Sequence, residues 1–491
     1  MIGIMREIEP STKSGIDGGW PAALFLVALT LRLALLARVP WDGLYGQDAF
    51  AYWWQAEAIA AFVPAPDFFW PSGFPALVAP LIWLFGPTPL VGLAVSVVAG
   101  ALIPALLYAL SRELLPAHGP LPGVVAGGLA AVAGQPLLSS LTMMADIPAL
   151  AWGLLGLWLA VRGLRASRPD RWWVAAGVAL GMAVVTRWLM ALLVPVLLLA
   201  VLAGRRPLVW RRWLALGVGA LLPLLPQLWL TAHRPESVAH HLLLQWNPAN
   251  SLRRVFETAE GVQQFAVPPL LFNLYPALHP AYLLPPLGLV VVLGLWALWR
   301  RRAWPALALA AGWFGLGYLL LSGLPYENFR YGLLLSPPLL LLTGVGAGWA
   351  WQQVPRWRVA LGLGGLALWL AMGAWGVRMT TTFIDQQNIT KAWVAAAAAQ
   401  LPPDATLITF GMSQIARQYT PFEVRNLYFE DAGSLATRRA GGEPLYLLVD
   451  VAGLEGQWAG LAPERAYRSL EVAGALHPLD QIGPLTLFEV R

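Results

Sequence analysis

Asp48 stands in Gly46-Gln47-Asp48-Ala49-Phe50-Ala51-Tyr52, just after the first long apolar run of a 491-residue chain in which only 12% of residues are charged. A carboxylate at such a place can take a proton from a substrate hydroxyl, the work of a general base. If a helix begins near Gln47, then Asp48, Tyr52 and Gln55 share one face at i, i+4 and i+7, while Phe50, Trp53 and Trp54 lie elsewhere and suit a membrane interface. Glu57, nine residues on, is turned about 180° from Asp48, so the two acids do not pair on one helix. The competing role for Asp48 is as N-cap of that surface helix. A second acid, Asp146 in Met143-Met144-Ala145-Asp146-Ile147-Pro148, has the same competing role, because Asp followed by Pro two residues later also reads as a helix start. Arg187, in Thr186-Arg187-Trp188, and Arg330, in Pro325-Tyr326-Glu327-Asn328-Phe329-Arg330-Tyr331, are suited to an anionic group, since a planar guanidinium holds phosphate oxygens bidentately. For Arg330 the alternative partner is Glu327 at i−3, an exposed pair worth only about 0.3 kcal/mol.

The elements that must position these side chains are membrane spans. Hydrophobic residues make up 58% of the chain and mean hydropathy is +0.61, and repeated apolar runs of about 20 residues exceed what a soluble core needs. The run from Trp20 to Val39 is long enough to span and has no small-residue cleavage site after it, so it is expected to stay as a signal anchor. A net charge of +6 and a pI near 9.7 do not indicate nucleic acid here, because the arginines fall in short clusters between apolar runs, as cytoplasmic membrane loops require. Placing Arg6 and Lys13, Arg112, Arg162 to Arg171, Arg205 to Arg212, Arg300 to Arg302, and Arg356 with Arg358 inside satisfies that bias at every alternate loop. The pattern predicts about eleven spans, near 20–39, 88–111, 120–141, 147–163, 172–187, 188–204, 213–231, 281–299, 303–323, 331–351 and 359–378, with the amino terminus inside and the carboxyl terminus outside. The apolar piece 74–85, bracketed by Pro71, Pro75 and Pro87, is too short to cross and is expected to be interfacial or re-entrant. Arg32, inside the first span, would cost about 2.5–3.5 kcal/mol at the membrane centre, so it must face a protein partner, snorkel or serve the site.

On this topology residues 1–379 form the membrane domain, with outer loops at 40–88 and 232–280, and 380–491 form a small extracytoplasmic α/β domain. In the tail a helical stretch from Thr390 to Gln400 precedes strand-like segments Ala405 to Phe410, Phe422 to Tyr428, Leu445 to Val451 and Leu485 to Val490. The second outer loop carries His233, His240, His241 and His279. The adjacent pair His240-His241 diverges on a helix or strand and does not chelate one ion easily. Trp246, Asn247 and Asn250 have the chemistry for sugar stacking and hydroxyl contacts. The absence of cysteine excludes disulfides, thiolate metal sites and cysteine nucleophiles. No Walker A, dinucleotide fingerprint or nucleophile elbow is present. A transporter would place such charges near the bilayer midplane and often shows inverted repeats; here the candidates cluster at one surface and no repeat is visible.

The order Asp48, Tyr52, then Trp70-Pro71-Ser72-Gly73-Phe74-Pro75, Leu84-Phe85-Gly86, Asp146, and Gly181-Met182-Ala183-Val184-Val185-Thr186-Arg187 resembles the polyprenyl-phosphate-sugar-dependent glycosyltransferases of the GT-C superfamily, in particular family 39, protein mannosyltransferase-like and aminoarabinose transferase-like enzymes. The match spans roughly 20–205, with an echo from Phe329-Arg330-Tyr331 to Pro337-Pro338. The resemblance implies a GT-C-like membrane enzyme of the cell (inner or plasma) membrane, with its active site outside, moving a sugar from a polyprenyl-phosphate donor to a hydroxyl of a glycan, lipid or protein acceptor. Asp48 and Asp146 map to catalytic positions, and Tyr52, Arg187, Tyr326, Glu327, Arg330 and Tyr331 to substrate binding. No cofactor is required by that chemistry, and a divalent cation is allowed. Ala49 stands where many relatives carry a second acid. A homologue acting only as an assembly subunit, or a lipid-binding protein, is the alternative implied by the same features.

Overall fold

The computed structural model describes residues 18–63, 70–205, 207, 209–233, 242–258 and 261–491, without the side chains at 432 and 439. The expected lysine and arginine of the amino terminus and the His240-His241 pair lie outside the described residues. The chain is a predominantly helical membrane protein. Its main helices are α1 (Trp20–Leu36), α2 (Asp48–Ala60), α3 (Gly73–Phe85), α4 (Pro89–Leu114), α5 (Leu121–Val132), α6 (Gly134–Ser140), α7 (Asp146–Gly163), α8 (Pro169–Thr186), α9 (Leu193–Ala203), α10 (Trp210–His233), α11 (Pro285–Arg300), α12 (Trp304–Ser322), α13 (Ser336–Gln353), α14 (Arg358–Ala398) and α15 (Ser413–Tyr419).

Among the described residues, α4, α10, α12 and the segment Pro355–Ala398 are long and apolar enough to cross a membrane, and a fifth candidate is α5 with α6, bent by 59° at their junction. The other expected spans form helices that are shorter or more polar. The run expected as one span over 188–204 begins with a 3-10 turn, Trp188–Leu192, and that over 331–351 begins within another, Phe329–Leu334. The apolar piece 74–85 is α3, 13 residues long, which reaches only roughly 20 Å. The expected domain junction at 379/380 falls within α14, a single helix of 41 residues that runs unbroken into the tail. Through 358–370 its apolar residues are largely exposed, Val359 at 76% and Leu363 at 64%.

Close helix packing depends on residues without side-chain bulk. A Cβ on Gly177 would lie 2.1 Å from the Leu216 carbonyl oxygen, and one on Gly219 would lie 2.1 Å from that of Val174, so α8 and α10 approach backbone to backbone, as small residues permit in membranes. Arg32 is 1% exposed and is held within the helical core: its Nε donates to Ser140 Oγ at 2.7 Å and its Nη1 to the Ala28 carbonyl at 2.9 Å. A protein-facing role, not snorkelling, accounts for its tolerance.

The two ends of α7 have different chemistry. Asp146 opens the helix, and Arg162 near its other end pairs with Glu113 at 3.1 Å, so the two are separated by roughly 24 Å. Arg162 stacks on Trp158 and Trp172, and Arg171 on Trp172. The carboxyl ends of α4 and α7 and, through Arg211 and Asp170 at 3.7 Å, the amino ends of α8 and α10 therefore gather arginines at one end of the bundle. The candidate chemistry lies at the other.

The tail holds a five-stranded sheet in the order β4-β3-β5-β7-β6, with β3 (Thr406–Thr409), β4 (Glu423–Asn426), β5 (Leu445–Val449), β6 (Leu476–Ile482) and β7 (Leu485–Val490). β3 is parallel to β4 and β5, and β7 is antiparallel to β5 and β6. β1 (Val255–Thr258) and β2 (Gly261–Gln264) form a separate antiparallel hairpin in the second long loop. One apolar cluster joins the first loop to the tail: Ala49, Phe50, Tyr52, Trp53 and Phe74 pack with Val394, Leu407, Ile415, Leu448 and Leu487. That shared core fixes α2 against the tail.

Candidate functional site

Both acids open helices, where the positive end of the helix dipole favours a carboxylate, yet neither acts as the cap. Gln47 is the N-cap of α2 and Ala145 that of α7, with no side-chain capping bond at either. The carboxylates instead meet arginines. Arg330 Nη2 lies 2.7 Å from Asp48 Oδ2, Arg330 Nε lies 3.3 Å from Asp146 Oδ2, and Arg187 Nε lies 3.0 Å from Asp146 Oδ1. The 3.3 Å contact is an ion pair without hydrogen-bond alignment. The order Asp48, Arg330, Asp146, Arg187 alternates in sign and sums to zero. The four side chains are only 8–20% exposed. Burial opposes the charge on Arg330, but Asp146 and then Asp48 more than offset it and hold the guanidinium well above its ordinary value; Arg187 is raised likewise, against burial, chiefly by Asp146.

Local structure explains the placement of each group. Arg187 follows the last residue of α8 in extended backbone, φ −153° and ψ 114°, which turns its side chain out of the helical row. Arg330 sits in the turn Phe329–Leu334, where the Asn328 side chain accepts the Arg330 backbone N–H at 2.9 Å. Gly73 allows α3 to press on the end of α8: a Cβ there would meet the Val185 carbonyl oxygen at 2.5 Å. Gly73→Ala is therefore expected to displace the Thr186-Arg187 junction and to destabilise the protein by about 1–3 kcal/mol, read as a lower melting temperature.

Aromatic residues enclose the ion pairs. The Tyr331 ring centroid is 5.6 Å from the Arg187 guanidinium carbon and 6.0 Å from that of Arg330, and Tyr326 packs on Tyr331 at 5.9 Å. Tyr52 is fully buried against Phe74, at 5.4 Å, and Trp70, at 6.1 Å. Burial pushes the phenols of Tyr52 and Tyr45 up, so both stay protonated and able to donate. Of the expected site residues, Asp48, Asp146, Arg187, Arg330, Tyr52 and Tyr331 thus converge, with Tyr326 behind Tyr331.

Glu327 stands apart from these ion pairs. The alternative Glu327–Arg330 pair does not form: the turn at 329–334 directs the guanidinium across to α2 and α7, where it pairs with Asp48 and Asp146. Glu327 Oε1 is buried without a hydrogen-bond partner, and burial pushes its carboxyl up to about 7. A carboxyl raised on folding costs nothing below its unfolded value near 4.5, and the cost grows as pH rises from there to about 7. Glu327→Gln is therefore expected to raise the melting temperature at pH 8 and to leave it nearly unchanged at pH 4.5, a modest effect because the group is only half-buried.

Two contributors escape the sequence. Tyr45, three residues before Asp48, is within the field of Arg330 and both acids, and Met144 accepts from Arg330 Nη1 at 3.2 Å through its sulfur. Tyr45 lies in a non-periodic loop; Met144, two residues before Asp146, looks like an ordinary core residue. Ala49 is fully buried, so a second acid there would face packed side chains and not the cluster.

A metal fits poorly. Asp48 and Asp146 are already matched by guanidinium groups, and among the described residues no three His, Asp or Glu side chains gather as a ligand set. His279 stacks on Tyr275, packs against Phe329 and accepts from the Ala281 N–H at 3.2 Å. The residues suited to sugar contact in the second loop serve its anchoring: Trp246 donates to the Leu320 carbonyl at 3.1 Å, Asn250 to that of Gly323 at 2.9 Å, and Asn247 caps the following turn.

In fold the chain resembles solved structures of membrane proteins across nearly its full length, and about a third of it matches one family model. Residues 71–230 match the family model described as dolichyl-phosphate-mannose-protein mannosyltransferase. The structure of ArnT from Cupriavidus metallidurans in the apo state superposes with a TM-score of 0.67 at 17% identity, covering 97% of this chain and 98% of that one. The same protein bound to undecaprenyl phosphate gives 0.65 at 16%, over 96% and 98%. The archaeal oligosaccharyltransferase AglB from Archaeoglobus fulgidus, in complex with an inhibitory peptide and a dolichol-phosphate, gives 0.56 at 14%, over 90% of this chain and 70% of that one. At these identities the superpositions establish the fold. No curated protein matches the chain in sequence.

Proposed function

We propose that the protein transfers a sugar from a polyprenyl-phosphate donor to an acceptor hydroxyl at the outer face of the cell membrane, with inversion at the anomeric carbon. The observation that carries this is the buried Asp48–Arg330–Asp146–Arg187 cluster, at the end of α7 opposite Arg162. Asp48, with the greatest exposure of the four at 20%, is the general base. It accepts the proton of the acceptor hydroxyl as that oxygen bonds to the anomeric carbon. The bond from that carbon to the phosphate oxygen breaks, and its electron pair leaves on the polyprenyl phosphate. Arg330 and Arg187 hold the phosphate through charge-assisted hydrogen bonds. Asp146, between them, keeps both guanidinium groups aimed. No step needs a metal.

The topology that goes with this function is about eleven spans, amino terminus inside and carboxyl terminus outside, with 1–379 as the membrane domain and 380–491 as an extracytoplasmic one. A donor whose tail is dissolved in lipid and whose sugar lies outside requires a site at the outer interface. The test is to incubate the purified protein with a panel of polyprenyl-phosphate sugars and candidate glycan, lipid and peptide acceptors, and to measure released polyprenyl phosphate. Release with at least one donor, dependent on Asp48, is the expected result; a well-folded protein that releases none from any donor would refute the function.

A further inference from the structure

The loop between α1 and α2, which ends at Asp48, is held by residues far away in sequence. At its centre Asp42 Oδ1 accepts the Leu44 N–H at 3.0 Å and the Lys391 ammonium at 2.7 Å, while its Oδ2 accepts the Tyr419 hydroxyl. Lys391 lies near the end of α14 and Tyr419 is the last residue of α15. The Lys391 nitrogen also sits 4.6 Å from the Trp41 ring and 4.8 Å from that of Tyr419, and Asn388 donates to the Pro40 carbonyl at 3.0 Å.

The same loop reaches the other side of the candidate site. Trp41 Nε1 donates to the Leu141 carbonyl at 2.5 Å, and the Gly43 carbonyl accepts the Met143 N–H at 2.9 Å, in the segment that runs through Met144 to Asp146. α15 grips α2 once more beyond Asp48: Trp54 Nε1 donates to Gln418 Oε1 at 2.8 Å, and the Arg417 guanidinium lies 4.5 Å from the Trp54 ring. Exposed ion pairs contribute little, but Asp42 and Lys391 are only 26% and 17% exposed and are enclosed by two rings. α14 carries Lys391 on a continuous helix from Arg358, roughly 50 Å away along the axis, so the contact joins two stiff bodies.

We propose that Asp42, Lys391 and Tyr419 form a clasp by which the C-terminal part of the chain fixes the position of Asp48, making Lys391 and Tyr419 positioning residues for the transfer reaction. This rests on the glycosyl transfer proposed above. A base moved by about 1 Å loses on the order of 10²-fold in rate, and the clasp acts on the only chain connection entering Asp48 from its amino-terminal side.

The experiment uses the full-length protein and the variants Lys391→Met/Tyr419→Phe and Lys391→Arg. Amide exchange is followed over the whole chain, and steady-state turnover is measured with the polyprenyl-phosphate sugar on which the wild type acts. The double variant is expected to exchange faster in 43–52 alone and to lose ~10–100-fold in kcat with the donor KM within about twofold, while Lys391→Arg, which keeps the charge, recovers most of the rate. Unchanged exchange in 43–52, exchange raised uniformly across the chain, or a loss confined to KM would overturn the clasp. If the wild type turns over none of the sugars, the transfer function fails, and exchange alone then decides the clasp by the same criteria.

Discussion

Asp48→Asn is expected to lower sugar transfer by ~10²–10⁴-fold, the contribution of a positioned general base, with the protein still folded and inserted. Asparagine nearly matches aspartate in shape but cannot accept a proton from the acceptor hydroxyl at neutral pH. It can still accept a hydrogen bond from Arg330, and that guanidinium retains Asp146 at 3.3 Å, so the buried charge is not orphaned. The loss should therefore fall on kcat, with donor KM little changed, because the proton is transferred only as the bond to the sugar forms. Polyprenyl phosphate release by purified, folded protein is the measurement. Transfer within a fewfold of wild type would exclude Asp48 as the base.

Asp146→Asn should act on folding first. Asp146 is the shared partner of Arg187 and Arg330 and is 8% exposed in its side chain. Its removal leaves two buried guanidinium groups facing one remaining carboxylate, and breaking a buried pair by deleting one partner costs about 3–5 kcal/mol. The variant is expected to melt well below wild type. Adding Arg187→Gln restores charge balance, and the double variant should recover part of that loss, a coupling that a double-mutant cycle reads directly. Recovery of stability without recovery of transfer would separate the structural role of the pair from its role toward phosphate. A single variant as stable as wild type would show the cluster to be solvated and the low exposure energetically unimportant.

Much of the helical framework follows from local pattern. Apolar runs of helical length gave α4, α10 and α12 within a few residues of their expected bounds, since a run that long has no other way to satisfy its backbone in lipid. The bend between α5 and α6 falls at Gly134-Gln135-Pro136, a helix-breaking signal that the single span expected over 120–141 passes over; a Cβ on Gly134 would lie 3.2 Å from the Ala281 carbonyl oxygen, a close approach set by a distant segment. Four of the tail strands are marked by β-branched and apolar runs between Pro, Gly and Asp. β6 is not, because it is an edge strand with a nearly continuous exposed pattern and with His477, Pro478 and Asp480 in it, where a proline is tolerated only since one side is unpaired.

The sequence alone determined that this is a membrane chain poor in charge, that Asp48, Asp146, Arg187 and Arg330 are its uncommon polar groups near the ends of apolar runs, and that their order resembles a known family. Their types suit proton transfer and anion holding. Only the tertiary structure decided that Asp48 pairs with a residue 282 positions away, that Glu327 does not, and that the tail reaches back to Asp42. Ion pairs across such separations depend on how helices pack, and packing is fixed by shape between distant surfaces, which local periodicity does not encode.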